Sequence, residues 1–351
     1  MCGDVGDTSS LAPSTSSARH TSAELASRQL KGVQAVVIDV HCHYYPERYT
    51  ELMSRLSGPQ QPRFRHPTTD EPDQIEARLQ LMDTAGVQVQ VLCPSSNYPY
   101  FPNESDAVEA ARVCNDSFAE LTHRYPDRFA AYVSLPLPHV DAALREIERG
   151  LDNLGMAGIS MSLSVFNRSS AEKEFGPLYT EMHRRGAILF YHPAFNGLCS
   201  PLINDYKMGG AVGASMEDCA LVVQLIARGV PYRFPNIKYI VPHLGGPTPM
   251  LLRRLDNQVP AQHPDLPEKP SVTARRLYYD TVGHGSEAAL LCGWKAFGAD
   301  HLVTGSDYPY LMDYESYSET FAYITRVDLP QTDIDQILHR SAQRLFKFNG
   351  S

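Results

Sequence analysis

Two histidines one residue apart offer the clearest chemistry in this sequence. His41 and His43 end an apolar, β-branched run that begins at Val36 and has the composition of a buried strand. Side chains alternate along a strand, so both imidazoles should point to one side and Cys42 to the other. Such a pair is suited to chelating a metal ion. Two ordinary structural histidines can share this spacing, so other residues must decide between the two interpretations.

Residues of the same kind follow three later apolar runs. His192 ends the fifth predicted strand, His243 ends the sixth, and Asp307 comes directly after the eighth. The carboxyl ends of parallel strands lie on one face of a barrel, so all five side chains should converge there. Imidazole and carboxylate groups that converge on a pocket are typical of a metal site.

The expected ion is divalent and sits in a single site. Imidazole and carboxylate ligands without thiolates suit Zn²⁺, Mn²⁺ or Fe²⁺, and zinc is the first choice. The ion would lower the pKa of a bound water molecule and polarise a substrate oxygen. A further side chain that is not a ligand could then hold or deprotonate that water.

The elements that must position these side chains alternate regularly after Val36. Eight apolar runs of strand length alternate with eight helical patterns, which predicts a single (β/α)₈ barrel, the TIM barrel. A doubly wound open sheet is the alternative. The predicted strands are Val36–His41, Val87–Cys93, Phe129–Leu135, Met156–Met161, Ala187–His192, Ile237–His243, Leu277–Val282 and His301–Gly305. The predicted helices are Asp73–Ala85, Ser105–Arg124, Val140–Leu154, Glu174–Arg185, Ser215–Arg228, Pro249–Gln258, Ser286–Phe297 and Tyr314–Arg326.

Three connections are longer than the alternation requires. Tyr44–Pro72 follows the first strand, Asn196–Ala214 follows the fifth, and Pro260–Pro270 follows the sixth helix. The first two leave strand ends on the face where barrel enzymes have their active sites. We therefore expect them to act as lids or pocket walls, with oligomer contact as the alternative.

Composition excludes several classes of protein. The chain of 351 residues has a formal net charge of -9, which gives no support for nucleic-acid binding. No apolar span of membrane-crossing length is expected. Seven scattered cysteines without a CxxC pair predict reduced thiols and a cytoplasmic location.

Residues 1–34, rich in Ser, Thr, Ala and Gly, are predicted to form a flexible N-terminal extension, and residues 35–351 one catalytic barrel domain.

The ordered set of motifs resembles the amidohydrolase superfamily. The motifs are His41-Cys42-His43-Tyr44-Tyr45-Pro46, Tyr191-His192-Pro193, Pro242-His243-Leu244-Gly245-Gly246, Gly305-Ser306-Asp307-Tyr308-Pro309 and the closing Ser341–Phe346. They are similar above all to the branch that contains aminocarboxymuconate-semialdehyde decarboxylase, γ-resorcylate decarboxylase and 6-methylsalicylate decarboxylase. The resemblance extends from Val36 to Phe346. It departs at Ser341, where the family has asparagine.

The resemblance implies roles for individual residues. The metal ligands would be His41, His43, His192 and Asp307, with His243 and Asp307 as the catalytic acid/base groups. Arg254 matches an arginine that reaches the substrate of a neighbouring subunit, which implies a homodimer or a dimer of dimers. Its neighbour Arg253 could take the same role. Further candidate substrate contacts are Arg63, Arg65, Phe195, Asn196, His284 and Tyr308.

The implied reaction is the metal-dependent, non-oxidative decarboxylation of a small aromatic or conjugated unsaturated carboxylic acid. The predicted fourth strand, Met156–Met161, and the following Ser162–Ser164 contain no lysine that could bridge two ions, which favours a mononuclear centre. A hydrolase or hydratase that acts on a lactone, amide or conjugated oxo-acid is the alternative reaction. A non-catalytic binding protein is the third hypothesis. Release of CO₂ from a carboxylic acid would separate the first hypothesis from the other two.

Overall fold

Eight short parallel strands form a nearly closed barrel in the computed structural model, which describes residues 36–57 and 70–346. The Val40 N–H donates to the Thr304 carbonyl (2.9 Å) and the Asp307 N–H to the His41 carbonyl (2.8 Å), so the first strand is joined to the last. The predicted (β/α)₈ barrel is confirmed. Its strands are β1 (Val37–His43), β2 (Val87–Cys93), β3 (Phe129–Ser134), β4 (Gly158–Ser162), β7 (Ile188–His192), β8 (Lys238–Val241), β9 (Tyr278–Asp280) and β10 (Leu302–Val303); β5 (Ser164–Val165) and β6 (Arg168–Ser169) form a separate antiparallel pair.

Helices surround the barrel and bury their apolar sides against it. In the longest, the Asn103 side chain accepts a hydrogen bond from the Asp106 N–H and caps the first turn, while Cys114 and Phe118 are buried. The helices are α1 (Glu47–Ser57), α2 (Pro72–Ala85), α3 (Glu104–Arg124), α4 (Val140–Glu148), α5 (Gly176–Arg185), α6 (Pro201–Asn204), α7 (Ala214–Ala227), α8 (Val230–Arg233), α9 (Thr248–Gln262), α10 (Pro270–Ala274), α11 (Glu287–Phe297), α12 (Glu319–Ala322), α13 (Gln331–Asp335) and α14 (Ser341–Leu345).

A register shift in β1 delivers the two histidines to the lumen. Ile38 and Val40 belong to the inner core, so strict alternation would turn His41 outward. The pairing of β1 with β2 shifts between Asp39 and Cys42, and the His41 ring then lies 5.0 Å from that of Phe190 inside the barrel. Cys42 packs in the outer core, on the opposite side of the strand from the imidazoles.

Several predicted elements were too long. The predicted helix Tyr314–Arg326 is wrong: only α12 is α-helical there, and a 3₁₀ turn follows it. Tyr317 lies before α12 and donates its hydroxyl to Asp39 (2.9 Å), a tertiary contact that competes with a continuous helix. The sixth strand ends before His243, whose positive φ angle of 51° an extended strand cannot contain. The eighth strand ends at Val303, and Asp307 beyond it also has a positive φ angle, 54°.

Within the described residues, one helical stretch is long and apolar enough to cross a membrane, contrary to the expectation from composition. This stretch, Gly209–Ala227, joins the end of the second insertion to α7. Half of it is buried inside the protein, and its buried side carries Glu217 and Asp218. We therefore interpret it as a core helix of the barrel. The third predicted insertion begins late, because Pro260 lies inside α9.

Candidate metal centre

Four side chains from three strand ends meet at the carboxyl end of the barrel. His41, His43, His192 and Asp307 each place one ligand atom within 4.8 Å of the others. The Oδ1 atom of Asp307 lies 2.7 Å from His43 Nε2 and 3.3 Å from His41 Nε2. All three imidazoles are fully buried. The structure therefore brings together the four residues that the sequence nominated as ligands.

Each imidazole is oriented through its second ring nitrogen. The Nδ1 atoms face Asp280 Oδ2 (2.7 Å) for His41, Cys93 Sγ (3.2 Å) for His43 and the Pro193 carbonyl (3.0 Å) for His192. This leaves the Nε2 atoms directed at the centre, and those of His41 and His192 are buried without a hydrogen-bond partner. Buried polar atoms are nearly always satisfied, and metal-ligating histidines typically use their other nitrogen in this way. The site fits a single divalent metal ion.

Electrostatics around the ligands favour a positive charge at the centre. Burial lowers the pKa of His43 to about 4 and the pKa of His192 well below its usual value. Both rings are therefore neutral, and each can offer a nitrogen lone pair to a metal ion. Burial also opposes protonation of His41, but the carboxylates of Asp280 and Asp307 raise its pKa to about 9. Burial disfavours the charged form of Asp307, yet the neighbouring histidines hold its pKa well below the usual range.

His243 stands beside the four ligands and is held by two carboxylates. Its backbone N–H donates to Asp280 Oδ1 (2.8 Å), and its Nδ1 lies 2.8 Å from Asp218 Oδ2. Its Nε2 lies 3.8 Å from Asp307 Oδ2. Burial works against the imidazolium, but Asp218 raises the pKa of His243 well above its usual value. The pair can therefore present a proton on Nε2 toward the centre.

The two glycines after His243 allow its turn to pack closely. A Cβ on Gly246 would lie 1.9 Å from the Ser215 carbonyl oxygen, and one on Gly245 would lie 2.8 Å from the Tyr279 ring. Both residues also have positive φ angles. Any larger residue would move the turn that carries His243 away from α7 and Asp218.

A buried network outside the lumen fixes the chain on both sides of Asp307. Asp39 Oδ2 accepts hydrogen bonds from the Ser306 hydroxyl (2.6 Å) and the Tyr317 hydroxyl (2.9 Å). The Ser306 N–H donates to Asp39 Oδ1 (3.0 Å). Burial raises the pKa of Asp39 to about 6 although these hydrogen bonds lower it. Ser306 is thereby held, and with it the backbone that enters Asp307.

Arg78 completes this network from α2. The side chain is buried, donates from Nε to Gln90 Oε1 (2.6 Å) and from Nη1 to the His43 carbonyl (2.9 Å). Its guanidinium lies 4.6 Å from the centre of the Tyr308 ring, a cation–π contact. One cation therefore supports the residue after Asp307 and the backbone of His43.

Two of the predicted substrate contacts line the cavity beside the centre. This cavity has a volume of about 490 Å³ and is bordered by His243, Asp307, Phe195 and His284. Phe195 also packs against His192, with ring centroids 5.7 Å apart. The second insertion contributes Ala211 and its neighbours, so it serves as a pocket wall, as expected.

The other predicted contacts lie elsewhere. Tyr308 packs under Arg78, and Asn196 accepts a hydrogen bond from the Leu198 N–H (3.0 Å) within its own loop; neither borders the cavity. Arg254 is exposed on α9, and no ion pair to another described residue is seen. Arg63, Arg65 and the predicted N-terminal extension fall outside the described residues.

Three carboxylates that orient the site, Asp280, Glu217 and Asp218, were not predicted from the sequence. Asp280 ends β9 and could have been found by applying the strand-end rule to the seventh barrel strand. Glu217 and Asp218 lie side by side in α7; Glu217 accepts from the N–H groups of Ala194 (2.8 Å) and Gly197 (2.8 Å) and so fixes the loop after His192. Two acidic residues in a largely apolar helix were the available signal, since charged residues are rarely buried unless paired.

The barrel and its centre define a class: metal-dependent (β/α)₈ enzymes whose ligands come from strand ends. The amidohydrolase family model matches residues 38–348, and the chain belongs to that family. The chain is 26% identical over 315 residues to 6-methylsalicylic acid decarboxylase of Penicillium expansum, covering 88% of this chain and 95% of that protein. It is 27% identical over 241 residues to 2-amino-3-carboxymuconate-6-semialdehyde decarboxylase of Dictyostelium discoideum, covering 67% of this chain and 66% of that protein.

Solved structures agree on the fold. Dihydroxybenzoic acid decarboxylase from Polaromonas, with bound manganese and the inhibitor 2-nitroresorcinol, superposes with a TM-score of 0.74 at 23% identity. The match covers 90% of this chain and 98% of that one. The named relatives are decarboxylases, and the solved structure shares the barrel fold of this chain.

Proposed function

We propose that this protein is a metal-dependent, non-oxidative decarboxylase of a small aromatic carboxylic acid. The observation that carries the proposal is the pairing of a complete His/His/His/Asp centre with a second acid, His243 held by Asp218, at the edge of a cavity. Its relatives act as decarboxylases, which supports the same reaction type here.

The residues divide the chemistry between them. A divalent ion held by His41, His43, His192 and Asp307 would bind substrate oxygen atoms and stabilise negative charge. The bond between the ring and the carboxylate breaks, CO₂ leaves, and the electron pair remains on the ring carbon. His243 Nε2 then gives its proton to that carbon, while Asp218 stabilises the imidazolium beforehand.

We assign the proton to His243 rather than to Asp307. The pKa of Asp307 lies well below its usual range, so this carboxylate is ionised and has no proton to give. The pKa of His243 lies well above its usual value, so the ring is protonated at neutral pH. Asp307 acts as a ligand and accepts contacts from the surrounding imidazoles.

Zinc is the proposed ion. Three imidazole nitrogens and one carboxylate oxygen without thiolates form a ligand set that suits zinc, and manganese or iron are the alternatives. Metal analysis of the purified protein decides among the three. Recovery of manganese alone would refute zinc and leave the centre itself intact.

The proposed assembly is a homodimer or a dimer of dimers. Leu202, Tyr206 and Met250 are 82%, 71% and 74% exposed, and Met250 borders the cavity. Large apolar side chains with this much exposed surface support a face that a second copy of the chain covers. Light scattering of the purified protein tests this assembly.

The described cysteines are all free thiols, which supports the proposed cytoplasmic location.

The decisive experiment is incubation of metal-loaded protein with hydroxybenzoic acids while CO₂ and the phenol product are measured. His243→Gln serves as a matched variant, because it removes the proton donor and none of the four ligands. We expect stoichiometric CO₂ and phenol from the wild type, and normal metal content without turnover from the variant. Addition of water to the substrate without CO₂ would refute decarboxylation.

A further inference from the structure

The cavity beside His243 has a mostly apolar wall. Small and apolar side chains from five different segments line it. The titratable residues at its border are His243, His284, Asp307 and Cys292, and within residues 36–57 and 70–346 neither lysine nor arginine borders it. The apolar part of the wall includes Ala211, Leu244, Met250, Val282, Ala288 and Ala289.

The cavity is also larger than one aromatic ring needs. Its volume of about 490 Å³ lies within the range of about 300–1,000 Å³ that is typical of pockets for drug-sized ligands. A benzoic acid bound by its carboxylate at the centre fills only part of this space. The rest must be occupied by water or by a substituent on the ring, and an apolar wall favours the substituent.

Charge narrows the choice of substituent. The metal centre accounts for one carboxylate of the substrate. Among the described residues of this wall, the one cation is His243, and it is already paired with Asp218, so a second carboxylate would lose its hydration there without a free cationic partner, which is unfavourable. An alkyl or aryl group would instead gain from leaving water. The first turn of α11, which carries Ala288 and Ala289, offers such a group open contact because Ala288 is exposed and Ala289 is partly buried.

We propose that the substrate is an aromatic monocarboxylic acid with an apolar ring substituent, an alkyl chain or a second ring, packed against Ala288 and Ala289. This proposal rests on the decarboxylase function proposed above and deepens it. It separates the present chain from a relative whose substrate carries two carboxylates, and it places the discriminating residues on α11 rather than among the metal ligands.

The test compares kcat/KM of the metal-loaded full chain for three acids. They are 2-hydroxy-6-methylbenzoate, 2-hydroxy-6-pentylbenzoate and the dicarboxylate 3-hydroxyphthalate, which carries its second carboxylate where the other two carry the alkyl group. Burial of each added methylene should raise kcat/KM by about fourfold until the wall is covered. The dicarboxylate should be slower than the methyl compound by about thirtyfold or more. Equal or higher kcat/KM for the dicarboxylate would overturn the proposal while leaving decarboxylation established.

Two variants locate the wall. Ala289→Met should reduce kcat/KM for the pentyl acid more than for the methyl acid, because it shortens the space behind the ring. Ala288→Arg should improve the dicarboxylate relative to the alkyl acids. Thr84→Arg adds the same charge at an exposed position on α2, outside the residues that border the cavity, and should leave every ratio unchanged. If the ratios of kcat/KM between the three acids are the same in the α11 variants as in Thr84→Arg, the substituent binds elsewhere and the proposal is overturned.

Binding gives a readout that does not depend on turnover. Calorimetry with 2-nitrophenol and its 3-methyl and 3-pentyl derivatives, which cannot lose CO₂, should show affinity rising with alkyl length. If no acid releases CO₂ but the affinities rise in this way, the apolar wall is supported and the decarboxylase function fails. Affinities that do not change with alkyl length would overturn the inference directly.

Discussion

Replacement of Asp218 by asparagine tests how the protein controls the proton on His243. The substitution keeps the size of a fully buried side chain and removes its charge. Asp218 Oδ2 lies 2.8 Å from His243 Nδ1, and it is the main reason that the pKa of His243 is raised against burial. In the variant the imidazole should lose its proton at a lower pH, because an amide stabilises the imidazolium less than a carboxylate does.

The size of the effect follows from the strength of that hydrogen bond. Hydrogen bonds to charged groups contribute about 1.5–3 kcal/mol, and about 1.36 kcal/mol corresponds to one pH unit of displacement. His243 must be protonated to act, so activity is lost as pH rises through its pKa. The alkaline limb of the pH profile of kcat should therefore move down by about one to two pH units in Asp218→Asn.

The assay is a pH series of kcat with metal content measured at each pH. Asp127→Asn, at an exposed turn with no ion pair to another described residue, makes the same chemical change and should leave the profile unmoved. Metal content of Asp218→Asn should equal that of the wild type. An alkaline limb that stays in place at full metal content would show that His243 is not the proton donor.

Three further predictions concern the ion and the network behind it. His192→Ala should lose most of the metal, because the unpartnered Nε2 of His192 is a ligand, whereas Cys42→Ser should keep the metal. Elemental analysis of both variants measures this. Full metal content in His192→Ala would refute the assignment. Metal affinity, measured by chelator competition, should rise about tenfold per pH unit up to a pH of about 9, because the ion displaces the proton of His41; a flat profile below that pH would contradict this. Arg78→Met should lower the free energy of unfolding by about 2–6 kcal/mol in denaturant titrations, because it leaves two buried acceptors without donors. Arg112→Met, at an exposed position, should change that free energy by less than about 0.5 kcal/mol. Equal effects of the two arginine variants would contradict a supporting role for Arg78.

The ligands could be predicted because the barrel turns sequence position into spatial position. His192 and Asp307 are far from His41 in the chain, yet each lies at the carboxyl end of a strand, and the fold places all such ends on one face. Nothing beyond strand order was needed. The register shift in β1 was not predictable from alternation, which by itself turns His41 away from the lumen that it occupies.

The supporting residues could not be predicted in the same way. Asp218 and Arg78 lie on helices, where neither position nor periodicity states which side chain reaches through the strand layer to the site. Their partners are fixed by tertiary packing: His243 is 25 residues from Asp218, and the His43 carbonyl is 35 residues from Arg78. The only local sign was a charged residue in a buried helical face.

The buried charges explain why the centre calls for a divalent ion. Four carboxylates contact the ligands or His243: Asp39, Asp218, Asp280 and Asp307. Burial raises the pKa of Asp39 and Asp218 only to about 6, so both are ionised at neutral pH. Against these four negative charges stand Arg78 and protonated His243, which leaves a net charge of −2.

One divalent ion neutralises this charge. When no ion is bound, a proton on His41 neutralises half of it, and this attraction is why the pKa of His41 is raised to about 9. The same count predicts opposite outcomes for two similar variants. Above the lowered pKa of His243, Asp218→Asn removes a negative charge together with the proton of that ring, so the net charge and the metal content should stay the same. Asp39→Asn removes a negative charge alone, so metal affinity should fall although all four ligands remain. Equal metal affinity in the two variants would show that hydrogen-bonded positioning, rather than charge balance, holds the ion.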